Sequence, residues 1–287
     1  MKPIAIDLFS GGGGTCLGLR RAGFDVKAAV EIDLYKAETL VINHPKTRVL
    51  GRNGISGDVR SLTGRDLLDN AGIVDREVDV MVACPPCQGF SLQGNRDPLD
   101  ERNALYLEFI RLAGEVKPKA VVMENVMGIT SFEEGAVLDD VVLRLEDLGY
   151  SPDIWSLDAA DYGVPQIRKR VFVVGMKDRR PPSLPKKTRA ERIGVWEAIR
   201  DLPIRTGRRG EGTVPLSYRS EPASIYARRM RGTRSKVANC ELTHHADFLK
   251  ARLATLHWKE RDEPTRHRRL HPREPSPTLT AGCQISS

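Results

Sequence analysis

An apolar run cut short by two prolines constrains this chain more than any other feature. Residues 78–83 (VDVMVA) read as a buried strand. Pro85 and Pro86 follow at once, fixing φ and removing two backbone donors, so the strand cannot continue. Behind them stand Cys87, Gln88, Gly89, Phe90 and Ser91. A thiol just past the carboxyl end of a strand sits where α/β sheets carry their sites. An isolated cysteine is most often a small apolar filler, so the surroundings of Cys87 decide its meaning.

Those surroundings repeat the pattern. Residues 3–9 form an apolar segment that runs into Ser10 and four glycines, Gly11 to Gly14, and then into helical spacing through Leu17, Leu19 and Ala22. Strand, glycine loop and helix open a nucleotide-binding α/β unit, where glycines let a ligand approach the backbone at a helix N-terminus. The loop is neither a spaced G-x-G-x-x-G nor a P-loop. Residues 26–30 read as a second strand with Glu31 at its end, placed to meet ribose hydroxyls, and Gly57-Asp58-Val59 closes an irregular third strand region. Residues 103–116 and 138–148 carry helical periodicity, and residues 119–123 form a buried strand leading into Glu124-Asn125-Val126. Residues 154–157 and 171–174 supply two more strands, separated by a loop holding Gln166, Arg168 and Arg170. Strands alternating with helices predict an α/β fold, a doubly wound, mostly parallel sheet.

Charge divides the chain. Residues 1–175 hold 20 Lys and Arg against 26 Asp and Glu, whereas residues 176–287 hold 25 against 12, within an overall net charge of +7. A neutral-to-acidic chemical domain joined to a basic part that grips a polyanion is the expected organisation, with 1–177 as the first and a smaller, loop-rich 178–287 as the second. In the second part only residues 195–202 and 246–256 read as helices. No run approaches the ~20 apolar residues of a membrane span, and the N-terminus lacks a signal-peptide cleavage region. Five scattered cysteines suggest reduced thiols and a cytoplasmic protein. Cys84 and Cys87 form a C-x-x-C, but with two prolines between them and no second pair, neither zinc nor a disulfide is expected.

A thiol (Cys87), a carboxylate (Glu124) and two arginines (Arg168, Arg170) can converge along one sheet edge. A thiolate and an acid suit attack on an electron-poor ring carbon, with the arginines fixing carbonyl or phosphate oxygens. In this order and spacing, the segments resemble those of the DNA (cytosine-5) methyltransferase family. DLFSGGGG at residues 7–14 resembles the family's S-adenosylmethionine loop, implying contacts from Phe9, Ser10, Gly11, Gly12 and Gly14. VEID at 30–33 resembles the ribose-binding motif (Glu31, Ile32), and GDV at 57–59 the motif whose Asp58 holds the adenine amino group beside Val59. PPCQGFS at 85–91 is similar to the nucleophile loop, implying Cys87 as nucleophile, Pro85 near the cofactor, and Gln88 and Ser91 near the substrate. RNALYLEFIR at 102–111 would bring Leu105 to the cofactor. ENV at 124–126 implies Glu124 as catalytic acid with Asn125 beside the substrate, and QIRKR at 166–170 puts Gln166, Arg168 and Arg170 at the base pocket.

The resemblance implies a Rossmann-like, S-adenosylmethionine-dependent methyltransferase of prokaryotic or phage type. It would act on cytosine flipped out of double-stranded DNA, with a restriction endonuclease as a possible partner. The family's R-x-L-T-x-R-E and C-terminal Q-x-G-N-x-V segments are not found in this sequence. A truncated, divergent or split enzyme is therefore expected, the last being a DNA-binding half inactive without a second chain. A tRNA cytosine-5 methyltransferase competes, but that branch carries Cys-Phe-Thr, whereas Cys240 precedes Glu241 and Leu242. A dinucleotide oxidoreductase is disfavoured by the missing glycine fingerprint.

Overall fold

The computed structural model describes residues 1–86, 104–188, 191–204, 214–240 and 245–279. The chain divides into two compact units, residues 1–157 with 169–185, and residues 158–168 with 186–287.

The first unit is built on β1 (Ile4–Leu8), α1 (Gly14–Arg21), β2 (Asp25–Val30), α2 (Leu34–Asn43), β3 (Arg48–Leu50), α3 (Gly64–Ala71), β4 (Val80–Ala83), α4 (Leu105–Val116), β5 (Ala120–Val126), α5 (Ala136–Asp147), β6 (Tyr150–Asp158) and β7 (Lys169–Lys177). Seven strands form one sheet in the order β3-β2-β1-β4-β5-β7-β6. The first five pair in parallel, and β7 lies antiparallel to β5. The order reverses between β1 and β4, which makes a crevice at their carboxyl ends the expected ligand site.

Both faces of the sheet are covered, which is why its strands read as continuous apolar runs. Ile4, Ile6 and Leu8 of β1 and Met81 and Ala83 of β4 pack with Leu67, Phe109, Leu112 and Leu145 from α3, α4 and α5. On the opposite face Ala5, Val80 and Val82 meet Cys16, Ala37 and Leu40 from α1 and α2. Asp7, wholly buried, belongs by strand alternation with this second set. The third helix has strong local signals: Thr63 and Asp66 form a reciprocal capping box, and Gly72 ends the helix in the left-handed region at φ 63°.

The second unit contains α6 (Val195–Ile199), β8 (Leu216–Ser217), α7 (Ile225–Arg231), β9 (Lys236–Val237) and α8 (Asp247–Ala254), with β8 and β9 paired antiparallel. Its discontinuous segments are bonded to each other. Arg192 reaches Asp158 at 3.1 Å and Asp161 at 2.8 Å, and Ser276 accepts from Ile167 N at 2.8 Å while donating to the Pro165 carbonyl. Arg231 stacks on Tyr218 and Arg269 on Trp258, each with 4.3 Å between guanidinium and ring centre. None of the described helices is long and apolar enough to cross a membrane.

Candidate active site

Parallel register lines up the strand ends. Leu8 faces Val30 on one side and Ala83 on the other, and Ala83 faces Met123. One residue further on, Phe9, Glu31, Cys84 and Glu124 therefore stand in one row along the carboxyl edge of the sheet.

The glycine loop after β1 is held tightly. Phe9, Gly11 and Gly13 have φ of 56°, 55° and 92°. The carbonyl of Gly13 accepts a 3.0 Å hydrogen bond from His44 Nε2, and a Cβ at Gly13 would lie 2.6 Å from that nitrogen. Position 13 therefore demands glycine on two counts, conformation and space. Glu31 bridges loop and strand end: Gly11 N donates to its Oε2 at 2.7 Å and Asp33 N to its Oε1 at 2.8 Å. A Cβ on Gly51, at φ 115°, would collide with the Glu31 carbonyl, so the chain past β3 can lie against Glu31 only as glycine. Asp58 is gripped by the guanidinium of Arg60, at 2.7 Å from Nη2 to Oδ2, which holds its carboxyl below the usual range. Arg111 of α4 braces the same stretch by donating to the carbonyls of Val59 and Leu62.

These parts enclose a cavity of about 570 Å³ lined by Phe9, Gly11, Glu31, Ile32, Asp58, Val59 and Leu105, and also by Lys36, Arg60, Cys84 and Pro86. Its size is that of a small-molecule site. Two carboxylates, Glu31 and Asp58, stand at the rim of its apolar walls, a lining that an adenosine moiety fits. Ser10, bonded from its hydroxyl to the Asp7 carbonyl, and Gly12 and Gly14 shape the loop. Pro85 is buried, while its neighbour Pro86 faces the cavity.

The acid end of the row carries a charged pair. Glu124 Oε1 lies 2.7 Å from Arg170 Nε, with both side chains mostly buried. Antiparallel pairing makes this possible. Glu124 is opposite Phe172, so Arg170, two residues along β7, is its diagonal neighbour on the same face. Asn125 is buried, its Oδ1 accepting from Val126 N while Nδ2 has no partner among the described residues. Arg168 and Gln166 belong to the second unit. There Arg168 N donates to Asp158 Oδ1 at 3.0 Å, and Gln166 forms a bridge with Ser276. Cys87, Gln88 and Ser91 lie outside the described residues.

The surroundings of two groups, the half-buried Cys84 and the buried Asp7, are not legible in the sequence. Cys84 lies 3.6 Å from the Thr15 hydroxyl, and burial, then the charges of Glu124 and Asp7, push its thiol up to about 12. Asp7 accepts from the Cys16 thiol at 3.0 Å, and burial raises its carboxyl to about 7. Burial and the neighbouring Asp7 also raise Cys16, so that thiol stays a donor. In sequence, Asp7 looked like part of the cofactor loop and Cys84 like half of a C-x-x-C. Only the packing of α1 against β1 and β4 shows their surroundings.

A doubly wound sheet with a glycine loop after β1, an acid at the end of β2 and an antiparallel strand beside β5 defines a class, the Rossmann-like S-adenosylmethionine-dependent methyltransferases. Within that class, the model of the C-5 cytosine-specific DNA methylase family matches residues 4–278, and the chain belongs to this family. S-adenosylmethionine is the family's cofactor. Similar proteins include the type II methyltransferase M.AgeI of Thalassovita gelatinovora, 35% identical over 88% of this chain and 63% of that protein. M.DdeI of Desulfomicrobium norvegicum is 37% identical over 88% of this chain and 60% of its own length. The chain thus spans less than two thirds of either relative. A crystal structure described as a prophage-encoded DNA modification methyltransferase (E. coli) superposes with a TM-score of 0.84 at 29% identity, covering 96% of this chain and 82% of that one. A Spodoptera frugiperda DNMT2 structure, at 24% identity and a TM-score of 0.52 over 69% of this chain and 59% of its own, shares the fold.

Proposed function

We propose that this chain is a DNA cytosine-5 methyltransferase acting on a cytosine flipped out of duplex DNA. Cytosine C5 is a poor nucleophile until C6 carries an adduct, and the Cys87 thiolate supplies that adduct. Glu124 hydrogen-bonds N3 and the exocyclic amino group, stabilising the ring as electron density moves toward C5. Arg170 holds the Glu124 carboxylate in place, and Arg168, Gln166, Asn125, Gln88 and Ser91 contact the base and its surroundings. S-adenosylmethionine, when bound, supplies an electrophilic methyl group to the activated C5. Loss of the C5 proton and departure of Cys87 restore the aromatic ring.

Glu31 takes the ribose hydroxyls and Asp58 the adenine amino group, while Phe9, Val59 and Leu105 pack on the adenine, and Pro85 contacts the cofactor. Flipping the base costs about a few kcal/mol of stacking and pairing. The basic residues of 178–287, a target-recognition region, offset that cost through phosphate contacts, while residues 1–177 carry the chemistry. The observation that carries this reading is the Arg170-held carboxylate of Glu124, in one row with the cofactor-sized cavity and with the strand end that leads to Cys87.

Methyl transfer from labelled S-adenosylmethionine to mixed-sequence duplex DNA tests it, with Cys87→Ser as the control and tRNA as the competing substrate. The expected result is label at cytosine C5 of DNA that disappears in Cys87→Ser while DNA binding persists. Label on tRNA alone, or methylation surviving in Cys87→Ser, would overturn the assignment. Activity appearing only after a second chain is added would identify this polypeptide as one part of a split enzyme.

A further inference from the structure

We propose that His44 is a positioning residue for the cofactor: its Nε2–H clamps the Gly13 carbonyl and holds the glycine loop in the form that takes S-adenosylmethionine. The inference rests on the cavity beside that loop being the cofactor's site. The imidazole is buried, 4% exposed, and lies 31 residues along the chain from the carbonyl it binds. Gly13 is the N-cap of α1, in the left-handed region at φ 92°, and its N–H donates to the Ser10 carbonyl at 3.0 Å. Its own carbonyl accepts twice, from Leu17 N at 3.0 Å, the first bond of the helix, and from His44 Nε2 at 3.0 Å. The histidine bond is the one that anchors this turn to another part of the sheet's cover.

The direction of the bond follows from proton inventory. A carbonyl oxygen only accepts, so the ring carries a proton on Nε2. Nδ1 is buried without a partner among the described residues, which leaves the Nε2–H as the ring's polar contact there. The histidine is itself held. It ends α2 with its N–H bonded to the Leu40 carbonyl at 2.7 Å, and its carbonyl accepts from Thr47 N at 2.9 Å. The Thr47 hydroxyl in turn donates to the Val26 carbonyl of β2 at 2.9 Å. The glycine loop is thus pinned from both ends of one segment: Glu31, before α2, takes Gly11 N, and His44, after it, holds the Gly13 carbonyl. Gly11 and Glu31 both line the cavity, so a turn of the Gly13 peptide is passed over two residues to the cavity wall. With the imidazole N–H removed, the described contacts leave Gly13 fastened only to Ser10 and to its own helix.

Two measurements decide the matter. In the unaltered protein, proton–nitrogen correlation spectra of isotopically labelled histidine show which ring nitrogen carries the proton. His44, assigned by the loss of its signals in His44→Gln, should be protonated on Nε2, and that resonance should shift when S-adenosylmethionine is added. A proton on Nδ1 alone, or a resonance indifferent to the cofactor, overturns the proposal. The second measurement is cofactor affinity, read by calorimetry without DNA. His44→Phe keeps the bulk of the ring and loses the donor, so Kd for S-adenosylmethionine should rise about five-fold, the worth of one ordinary hydrogen bond. His44→Gln, whose amide nitrogen stands in for Nε2, should recover most of the loss. Equal affinity in the unaltered protein and His44→Phe overturns the proposal. Equal weakening in both variants would make His44 a matter of packing, and would also overturn it. Should His44→Phe fail to fold, the spectra of the unaltered protein still decide. An unaltered protein that binds no S-adenosylmethionine would instead bring down the reading of the cavity, and this inference with it.

Discussion

Replacing Asp7 with asparagine should change how the stability of this protein depends on pH. Asp7 is completely buried behind the glycine loop, its Oδ2 accepting from Cys16 and its Oδ1 without a partner among the described residues. Burial lifts its carboxyl from 3.8 to about 7, and the charge of Glu31 adds to the rise. Because the folded state binds this proton more tightly than the unfolded chain, Asp7 favours folding most below pH ~4. That contribution is lost as pH rises through about 7. At 1.36 kcal/mol per unit, the difference amounts to about 4 kcal/mol between the two limits.

Asparagine cannot ionise, so Asp7→Asn removes the slope. Its own fit in the site adds only an offset that does not vary with pH. Urea unfolding of both proteins from pH 4.5 to 8.5, followed by Trp155 in a Trp196→Phe, Trp258→Phe background, isolates the first unit. The difference in unfolding free energy should climb in favour of asparagine across this window and level off above pH ~8. Subtraction cancels every other titrating group. A difference that stays flat within about 1 kcal/mol would refute the claim that Asp7 is buried and protonated in the folded state.

Two further outcomes test the site. Arg170→Ala leaves the mostly buried Glu124 carboxylate without its guanidinium, so thermal melts should show a loss of about 2 kcal/mol and methyl transfer should fall at least about 100-fold. Arg170→Lys, which keeps the charge but not the planar donor, should recover stability more than activity. Gly13→Ala forces a Cβ toward the His44 ring at a left-handed φ, and calorimetry should register at least about 1 kcal/mol of destabilisation together with weaker S-adenosylmethionine binding. An unchanged melting temperature would show that the loop relaxes freely.

Much of the fold could be read from residue order because a doubly covered sheet writes its strands as apolar runs. β1, β2, β4 and β5 all appear that way, and α4 and α5 show as periodic stripes. The sixth strand was visible only over residues 154–157, whereas it spans Tyr150–Asp158. It is an edge strand, so much of it is exposed, and Pro152 is tolerated there as it would not be at the centre. The second helix escaped notice because Leu34 and Ile42, which should mark its buried stripe, are exposed. The third carries its signals at its ends, a capping box and Gly72, with little apolar stripe between them. The antiparallel sense of β7, which brings Arg170 to Glu124, cannot be inferred from its own sequence, since either direction reads alike. The surroundings of Cys84 depend on Thr15, 69 residues away. Spacing arguments reach neighbours in sequence, and this neighbour exists only in the folded sheet.

The discontinuity of the second unit bears on protein engineering. Grafting the second unit between related proteins would naturally cut once, at the basic linker, and transplant everything from residue 186 onward. Such a chimera would leave Asp158 and Asp161 behind on the host while importing the Arg192 that pairs with them. It would also strand Ser276 without the Pro165 and Ile167 main chain that it bonds. A graft that keeps these contacts must be a two-piece transplant, carrying residues 158–168 along with 186–287 and rejoining the host at both ends of the short insert. The downstream junction then falls two residues before Arg170, so each swap would also probe how far the acid's support tolerates a foreign neighbour.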